Sequence, residues 1–600
     1  MFIRCTTTRT KKTGETYKTF RLVESVRVNG TVKQRTLLNL GRYFDLPPPQ
    51  WQALSSRIDQ LLSTQTSFFS IDTEEPIETL AQRYAAQIIA ARSTSDDDKV
   101  KFETVDIASL ELVRPRRVGI EQLALHAVKQ LALDDKLKSL GFNQQQCAAS
   151  LGNIIARMAA PASELATYHW LQNRSGLGEL IEHDFEGMGL DRLYQVSDLL
   201  WKHREAIETH LYGQERDLFS FDETITLYDL TNTFFEGTAT SNPTARRGRS
   251  KEKRTDCPLV TLGLVLDGSG FPRKSQIFPG NASEPATLQL MLQGLEGRSG
   301  STVILDAGIA SEENIQYLIE HGYHYIVVSR KRQRQFDEDA AVIVKDIPGQ
   351  MVRVQKVTVE ETGEIELYCH SQLREKKEQA IQDNFSQKYE TALDQIHRGL
   401  SKKGTIKKYQ KIVERLGRLK ERYARAAQHY VVSVIADERS DKALSINWKR
   451  VEKANSQGTH PGVYCLRTNL TDWDEESLWR TYTLLTDLEA VFRSLKSELG
   501  LRPIYHHKEK RVNGHIFITL IAYHLVQTLR LQLKAEKIND SWQTIRRKME
   551  NQQRVTVVLR REDGKTIHLR KATKAEPEQR VIYQALGISA FPGGIKKTMI

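Results

Sequence analysis

ITLYDLT, residues 225–231, decides the reading of the fold: an apolar, β-rich run that closes on a carboxylate, Asp229. Runs of the same kind follow at PLVTLGLVLD (258–267) and FPRKSQIFPG (271–280), joined by the turn residues Gly268-Ser269-Gly270. A helical period covers 286–295. STVILDAG (301–308) is a fourth strand, and it too closes on an aspartate, Asp306. The helix SEENIQYLIEHG (311–322) and a fifth strand, YHYIVVSR (323–330), complete the series.

Three meandering strands followed by strand–helix–strand alternation is the order of a ribonuclease-H-like α/β core with a mixed five-stranded sheet. In that order the first and fourth strands are neighbours, and their C-terminal ends put Asp229 and Asp306 side by side. Two carboxylates that close repel unless a cation neutralises them. Mg²⁺ does so with few protein carboxylates, leaving water and substrate phosphate to fill its shell. An aspartate at a strand end is also an ordinary turn or cap residue, and Asp229-Leu-Thr-Asn232 and Asp306-Ala-Gly308 each fit that plainer reading. Asp222 is a rival for the first carboxylate, but it precedes the apolar run. Joint appearance in the right strand order, with a polar helix to follow, favours the metal reading.

That helix is YTLLTDLEAVFRSLK, residues 482–496. At helical spacing Tyr482, Leu485, Glu489, Arg493 and Lys496 share one stripe, beside an apolar stripe of Leu484, Leu488, Val491, Phe492 and Leu495. A salt-bridged surface helix also carries charge, usually as simple i,i+4 pairs. Packed across the sheet, the helix adds Glu489 to the two aspartates as a third metal-binding carboxylate. Two metal ions, Mg²⁺ or Mn²⁺, then activate a water or a 3′-hydroxyl and stabilise the leaving oxygen of a phosphodiester. Tyr482, Arg493 and Lys496 are placed to hold the flanking phosphates of DNA.

Composition agrees with a polyanionic partner. The 600 residues carry a net charge of +12 at a pI of about 9.2, with 39% hydrophobic and 27% charged residues, a soluble multidomain balance. Cys5, Cys147, Cys257, Cys369 and Cys465 are scattered singly, so reduced thiols and no zinc finger are expected. The first ten residues lack the apolar stretch of a signal peptide. The longest apolar segment, 515–533, contains His524, Gln527 and Arg530 and reads as a buried helix. The expected compartment is the cytoplasm.

The remaining chain divides by composition. Residues 1–48 read as a basic β-element around the hairpin signal Asn29-Gly30; the first 50 residues hold ten Lys and Arg against three acids. Such an element suits DNA backbone, or is a solvated hairpin with Lys on its edges. Residues 49–117 read as helices at about 50–62 and 78–91 and a polar linker, STSDDDK (93–99). Residues 118–217 form a module of about five helices, expected to bind DNA, with breaks near Gly141, Pro161, Ser175-Gly176 and Gly187–Gly189. Core segments 218–335 and 477–540 flank an α+β insertion, 336–476, whose stretch 398–425 is crowded with Lys and Arg. That stretch is either a solvated helical hairpin or an arm against phosphates. Residues 541–600 mix strands and a short helix.

These pieces resemble a DDE transposase of a bacterial insertion sequence, from the IS-four superfamily marked by Tyr-x2-Arg-x3-Glu-x6-Lys. Here Tyr482, Glu489 and Lys496 keep the spacing, and Leu485 stands where the Arg would be. YKTFRLVESVRVNGTVKQRTLLNLG, YDLTNTFFEG, SKEKRTDCPLVTLGLVLDGSGFP and LEAVFRSLKSELGLRPIYH resemble the larger subgroup in which Leu at that position is usual. The resemblance implies Asp229, Asp306 and Glu489 as the metal triad, 336–476 as the insertion domain, and a homodimer in a synaptic complex on terminal inverted repeats. It also implies cleavage of transposon ends followed by joining of 3′-hydroxyls to target DNA. With Leu at 485, Arg493 one turn on is the candidate for the missing phosphate contact. The competing reading is a DNA-binding transposase relative or regulator without catalysis.

Overall fold

The computed structural model describes residues 1–9, 16–28, 31–41, 44–62, 75–92, 102–219, 225–248, 256–293, 300–329, 336–451 and 460–600; within these ranges some side chains, those of 486–489 among them, lie outside the description. The Asn29-Gly30 turn, the 93–99 linker and Asp222 also lie outside the described residues.

Three antiparallel strands open the chain, β1 (Phe2–Arg9), β2 (Thr16–Val28) and β3 (Thr31–Gly41). Helices α1 (Trp51–Leu62) and α2 (Glu75–Arg92) lay Leu54, Ile58, Tyr84 and Ile88 against Ile3, Leu22 and Leu40 of that sheet. Strand β4 (Val105–Arg117) corrects the reading of 49–117 as helix and linker alone. Its outward residues Ile107 and Leu112 stay exposed, so no alternation marks it, and its partner strand lies in the C-terminal segment.

Helices α3 (Gly119–Gln130), α4 (Leu133–Ser139), α5 (Gln144–Ala159), α6 (Glu164–Asn173), α7 (Leu177–Leu180), α8 (Leu190–Lys202) and α9 (Arg204–Phe219) follow. The expected breaks hold, for local reasons. Asn143 and Gln146 close a capping box on α5, and Pro161 stands between α5 and α6, where Ser163 caps the new start. Further breaks at left-handed Ala132 and at His203 make seven helices out of the five suggested by periodicity.

The central sheet begins with β5 (Ile225–Phe234), β6 (Leu259–Asp267) and β7 (Pro272–Pro279). After α10 (Glu284–Leu292) come β8 (Thr302–Leu305), α11 (Glu312–Glu320) and β9 (His324–Val328). The order β7-β6-β5-β8-β9, with β5, β8 and β9 parallel, is the one expected. The sheet then runs on. The segment after it holds β10 (Val342–Lys345), β11 (Val352–Thr358), β12 (Ile365–Ser371), α12 (Gln372–Ser401), α13 (Tyr409–Arg422), α14 (Ala424–Ala427), β13 (Tyr430–Ala436), β14 (Ala443–Arg450) and β15 (Val463–Thr468). β15 pairs antiparallel with β9, and β12, β11 and β10 follow outward, giving nine strands in place of five. The reason is edge protection: β9 alone would end the sheet on open N–H and C=O groups. Only β13 and β14 stand apart, as a ribbon packed on α12 and α13.

Helix α15 (Glu475–Arg493) runs into one π turn, Ser494–Glu498, and then to α16 (Glu509–Ala535). The chain closes with α17 (Trp542–Met549), β16 (Gln553–Arg561), β17 (Thr566–Ala572), α18 (Pro577–Ala585) and β18 (Lys596–Met599), in a sheet ordered β18-β17-β16-β4.

One face of the central sheet packs on α10 and α11, through Tyr228, Leu230, Val303 and Leu305. The other packs on α15, α16 and the helical module, through Leu227, Leu264 and Ile304. Among the described residues α16 is the one helix long and apolar enough to cross a membrane, but most of its apolar window is buried inside the protein, as its composition predicts. Gly514 lets it touch α8: a Cβ there would stand 2.7 Å from the Ser197 carbonyl oxygen. Gly514→Ala should therefore cost about 1–3 kcal/mol through overpacking. Urea unfolding with a lowered midpoint and an unchanged slope is the expected result.

Candidate active site

Register builds the site. β5 and β8 run parallel with Tyr228 opposite Leu305, which sets Asp229 at the level of Asp306. Asp306 follows the end of β8, but Asp229 does not close its strand as read from the sequence, because β5 stays paired with β6 as far as Phe234. Side chains alternate along a strand, and Leu227 and Ile304, two residues before each aspartate, both face the core that holds Val491 and Phe492 of α15. Asp229 is half-buried and its Oδ1 accepts the Leu230 N–H at 2.7 Å. Asp306 is exposed and its Oδ1 accepts the Ala307 N–H at 2.6 Å. These short local bonds fix where the carboxylates sit.

The end of the sheet is more acidic than the two aspartates alone. Glu284, in the first turn of α10, stands so close to Gly308 that a Cβ on that glycine would lie 2.5 Å from Glu284 Oε2. The Tyr228 hydroxyl donates to Thr287 Oγ1 at 2.7 Å; burial raises its pKa, and the charges of Asp229 and Glu284 add to the rise. Nothing in the sequence marks Glu284, because its place beside Asp306 comes from the return of the chain after β7.

Helix α15 lies against β5, β8 and β9, the strands of the aspartate-bearing sheet; the Glu489 and Leu488 side chains fall outside the described residues. Asp474 caps the helix by accepting from the Ser477 N–H at 2.7 Å. Val491, Phe492 and Leu495 are buried, and Leu484 is half-buried, as the apolar stripe requires. Leu485 is half-buried against the same core, which accounts for an apolar residue there. Tyr482 is half-buried, its ring 5.8 Å from that of Tyr464. Arg493 is exposed at the end of the helix. Lys496, half-buried, sits within the π turn, closed by the Leu499 N–H on the Ser494 carbonyl at 3.0 Å. The wider turn carries Lys496 off the stripe projected at α-helical spacing, a local change that periodicity does not reveal.

A second polar cluster lies behind the site. Glu164, His506 and His515 bring ligand-type atoms within 4.8 Å of one another. They are engaged with each other and with an arginine. His506 Nε2 meets Glu164 Oε2 at 2.6 Å, Arg157 Nη2 meets His515 Nδ1 at 2.7 Å, and Arg157 reaches the Gly500 carbonyl at 3.4 Å. A guanidinium in the middle opposes a metal ion, so the cluster reads as a clamp on the chain after the π turn. Ile504 there bridges to Phe235, just past β5, its N–H donating to the Phe234 carbonyl at 2.9 Å.

Residues 222–525 match the family described as Transposase DDE domain, and residues 5–74 match the IS1634 family transposase, N-terminal domain. The chain belongs to the DDE transposase family. No curated protein matches its sequence. The matched span of this transposase starts just ahead of β5 and ends within α16, so it takes in both aspartate-bearing strands, the insertion and the α15 helix.

Burial lowers the His515 pKa to about 4, with the Arg157 charge acting in the same direction. Burial alone would raise Glu164, but hydrogen bonds from His506 and His515 and the Arg157 charge hold it well below the usual carboxylate range. A histidine depressed in the folded state contributes stability at neutral pH that is lost as pH falls from about 6.5 toward 4. His515→Gln should lower the melting temperature most at pH 7, and its deficit against wild type should shrink as the pH is lowered to 4.5.

Proposed function

We propose that this transposase binds the terminal inverted repeats of an insertion sequence and performs cut-and-paste transposition, with Asp229, Asp306 and Glu489 as its metal-binding triad. The carrying observation is the parallel β5–β8 register that sets Asp229 beside Asp306 on the face covered by α15. An all-carboxylate donor set at that face fits Mg²⁺, or Mn²⁺ in its place, better than a soft metal. Asp229, Asp306 and Glu489 would hold a pair of such ions, which would supply polarisation of the phosphodiester and activation of a water or 3′-hydroxyl at neutral pH.

The chain supplies position. Exposed Arg493 suits a flanking phosphate, and Lys496, on the π turn, suits another. Tyr482, anchored on Tyr464, holds the DNA strand on the Glu489 side. Hydrolysis at the element's end leaves a 3′-hydroxyl, which then attacks a target phosphodiester and displaces its 3′ oxygen. Two ends need two active sites, so a homodimer is the working unit, acting on DNA in the cytoplasm. Leu485 packed into the core supports membership of the Leu-bearing subgroup of the IS-four superfamily. In the same reading 336–476 is the insertion domain, 1–48 and 118–217 grip the element's end, 49–117 supports the first of those modules with α1 and α2 and lends β4 to the C-terminal sheet, 541–600 closes the chain, and 218–335 with 477–540 make the core.

A labelled duplex carrying the terminal repeat, incubated with Mg²⁺, should be cut at the repeat boundary by wild type and not by Glu489→Gln or Asp306→Asn. Binding with no cutting by wild type would favour a non-catalytic relative. Mn²⁺ should raise the melting temperature of wild type, by up to about 2.7 kcal/mol of stability at a hundredfold excess over Kd. Asp306→Asn should abolish that rise, since it removes a ligand and the repulsion that the ion relieves.

A further inference from the structure

The hairpin of α12 and α13 presents a cationic surface that the catalytic site does not use. Between residues 398 and 425 eleven Lys and Arg face only two acids, Glu414 and Glu421. Helix α13 sorts its residues by face. Ile412 and Leu416 are buried against Tyr389, Leu393 and Ile396 of α12. Lys411, Arg415, Arg418 and Arg422, spaced four, three and four residues apart, form one exposed row. At about 1.5 Å per residue the row is roughly 16 Å long.

Some cations of the hairpin are engaged. Arg398 pairs with Asp394 at 2.8 Å, Lys408 with Asp441 at 3.6 Å, and Arg422, the last of the row, and Arg425 lie over Tyr423 and Phe385. No carboxylate among the described residues lies within 4.0 Å of Lys411, Arg415 or Arg418. Lys402 and Lys403 extend the exposed charge into the loop before α13. A rigid row of unneutralised cations on a well-packed helix costs folding energy through self-repulsion and gains it back only against a polyanion. A row of three helical turns matches the evenly spaced charges of a nucleic acid backbone, whereas an acidic peptide would have to be ordered to match it.

We propose that the Lys411–Arg415–Arg418 row of α13 is a duplex-DNA backbone contact that gives this transposase sequence-independent affinity away from the catalytic site. It rests on the reading of the chain as a DNA enzyme. It is independent of the triad, because the row binds phosphates whether or not cleavage occurs.

The test measures binding of the full-length protein to a fluorescent duplex of arbitrary sequence, in chelator, across a salt series. Neutralising the row with K411Q/R415Q/R418Q should lower the slope of log affinity against log salt by about 0.9 per contact, roughly 3 in all. Affinity at physiological salt should fall at least about tenfold. The control K376Q/K377Q/K388Q removes as many exposed charges from α12 and should keep most of the wild-type slope. An unchanged slope in the row variant, or an equal drop in the control, overturns the proposal. If the triple variant fails to fold, R415Q and R418Q singly, each expected to lower the slope by about 0.9, decide the matter. A wild-type slope in an enzyme whose Glu489→Gln variant stops cutting would sink this inference and leave the proposed chemistry standing.

Discussion

The buried histidines and threonines of α16 need partners inside the protein, and that requirement ties the molecule together. From Val512 to Val526 the helix is buried without interruption. Thr519 and Thr528 satisfy themselves on their own helix, bonding back to the carbonyls of His515 and His524 at 3.0 and 2.9 Å. The two histidines cannot. His515 meets Arg157 of α5, and His524 meets Glu215 of α9 at 2.6 Å. Both partners belong to the helical module, so burying the helix in the enzyme core forces that module onto it. The helical segment and the catalytic sheet thus share one apolar cluster, although they are distant in sequence.

The face that carries the two aspartates depends on a second constraint, the hand and register of a parallel connection. A crossover through α10 sets β8 beside β5, and the pairing of Thr226 with Val303 and of Leu227 with Ile304 leaves no freedom in where the aspartates emerge. A slip of one residue would turn one carboxylate toward α10 and leave the other facing α15. Because β6 is buried along its whole length, it is packed from both faces and holds the meander against such a slip.

Much of this is legible in the chain. The strands that carry Asp229 and precede Asp306, the meander between them and the breaks at Gly141 and Pro161 are local signals: apolar alternation, turn residues, a proline that cannot continue a helix. That β5 runs past Asp229 to Phe234 is set by its pairing with β6. What is not legible depends on partners remote in sequence. IELYCHS and VYCLRT read as strands, but nothing local says that they join the catalytic sheet beyond β9. β4 exposes Ile107 and Leu112 and alternates poorly, so only β16 makes it a strand. The Arg157–Glu164–His506–His515 clamp joins residues from three separate stretches. The π turn under Lys496 is a local deviation, yet the apolar period on either side of it is intact. The helix that bears Glu489 is itself legible, from its apolar stripe and its Asp474 cap.

The pairing of β4 with β16 has a temporal side. Residues 105–117 leave the ribosome more than four hundred residues before 553–561, so β4 waits through that interval without its partner strand. The strand that leads into the helical module therefore acquires its partner only after both aspartates and the Glu489 helix have been translated. A chain cut short before residue 553 would carry an unpaired strand at the root of the helical module, open to edge pairing with other chains.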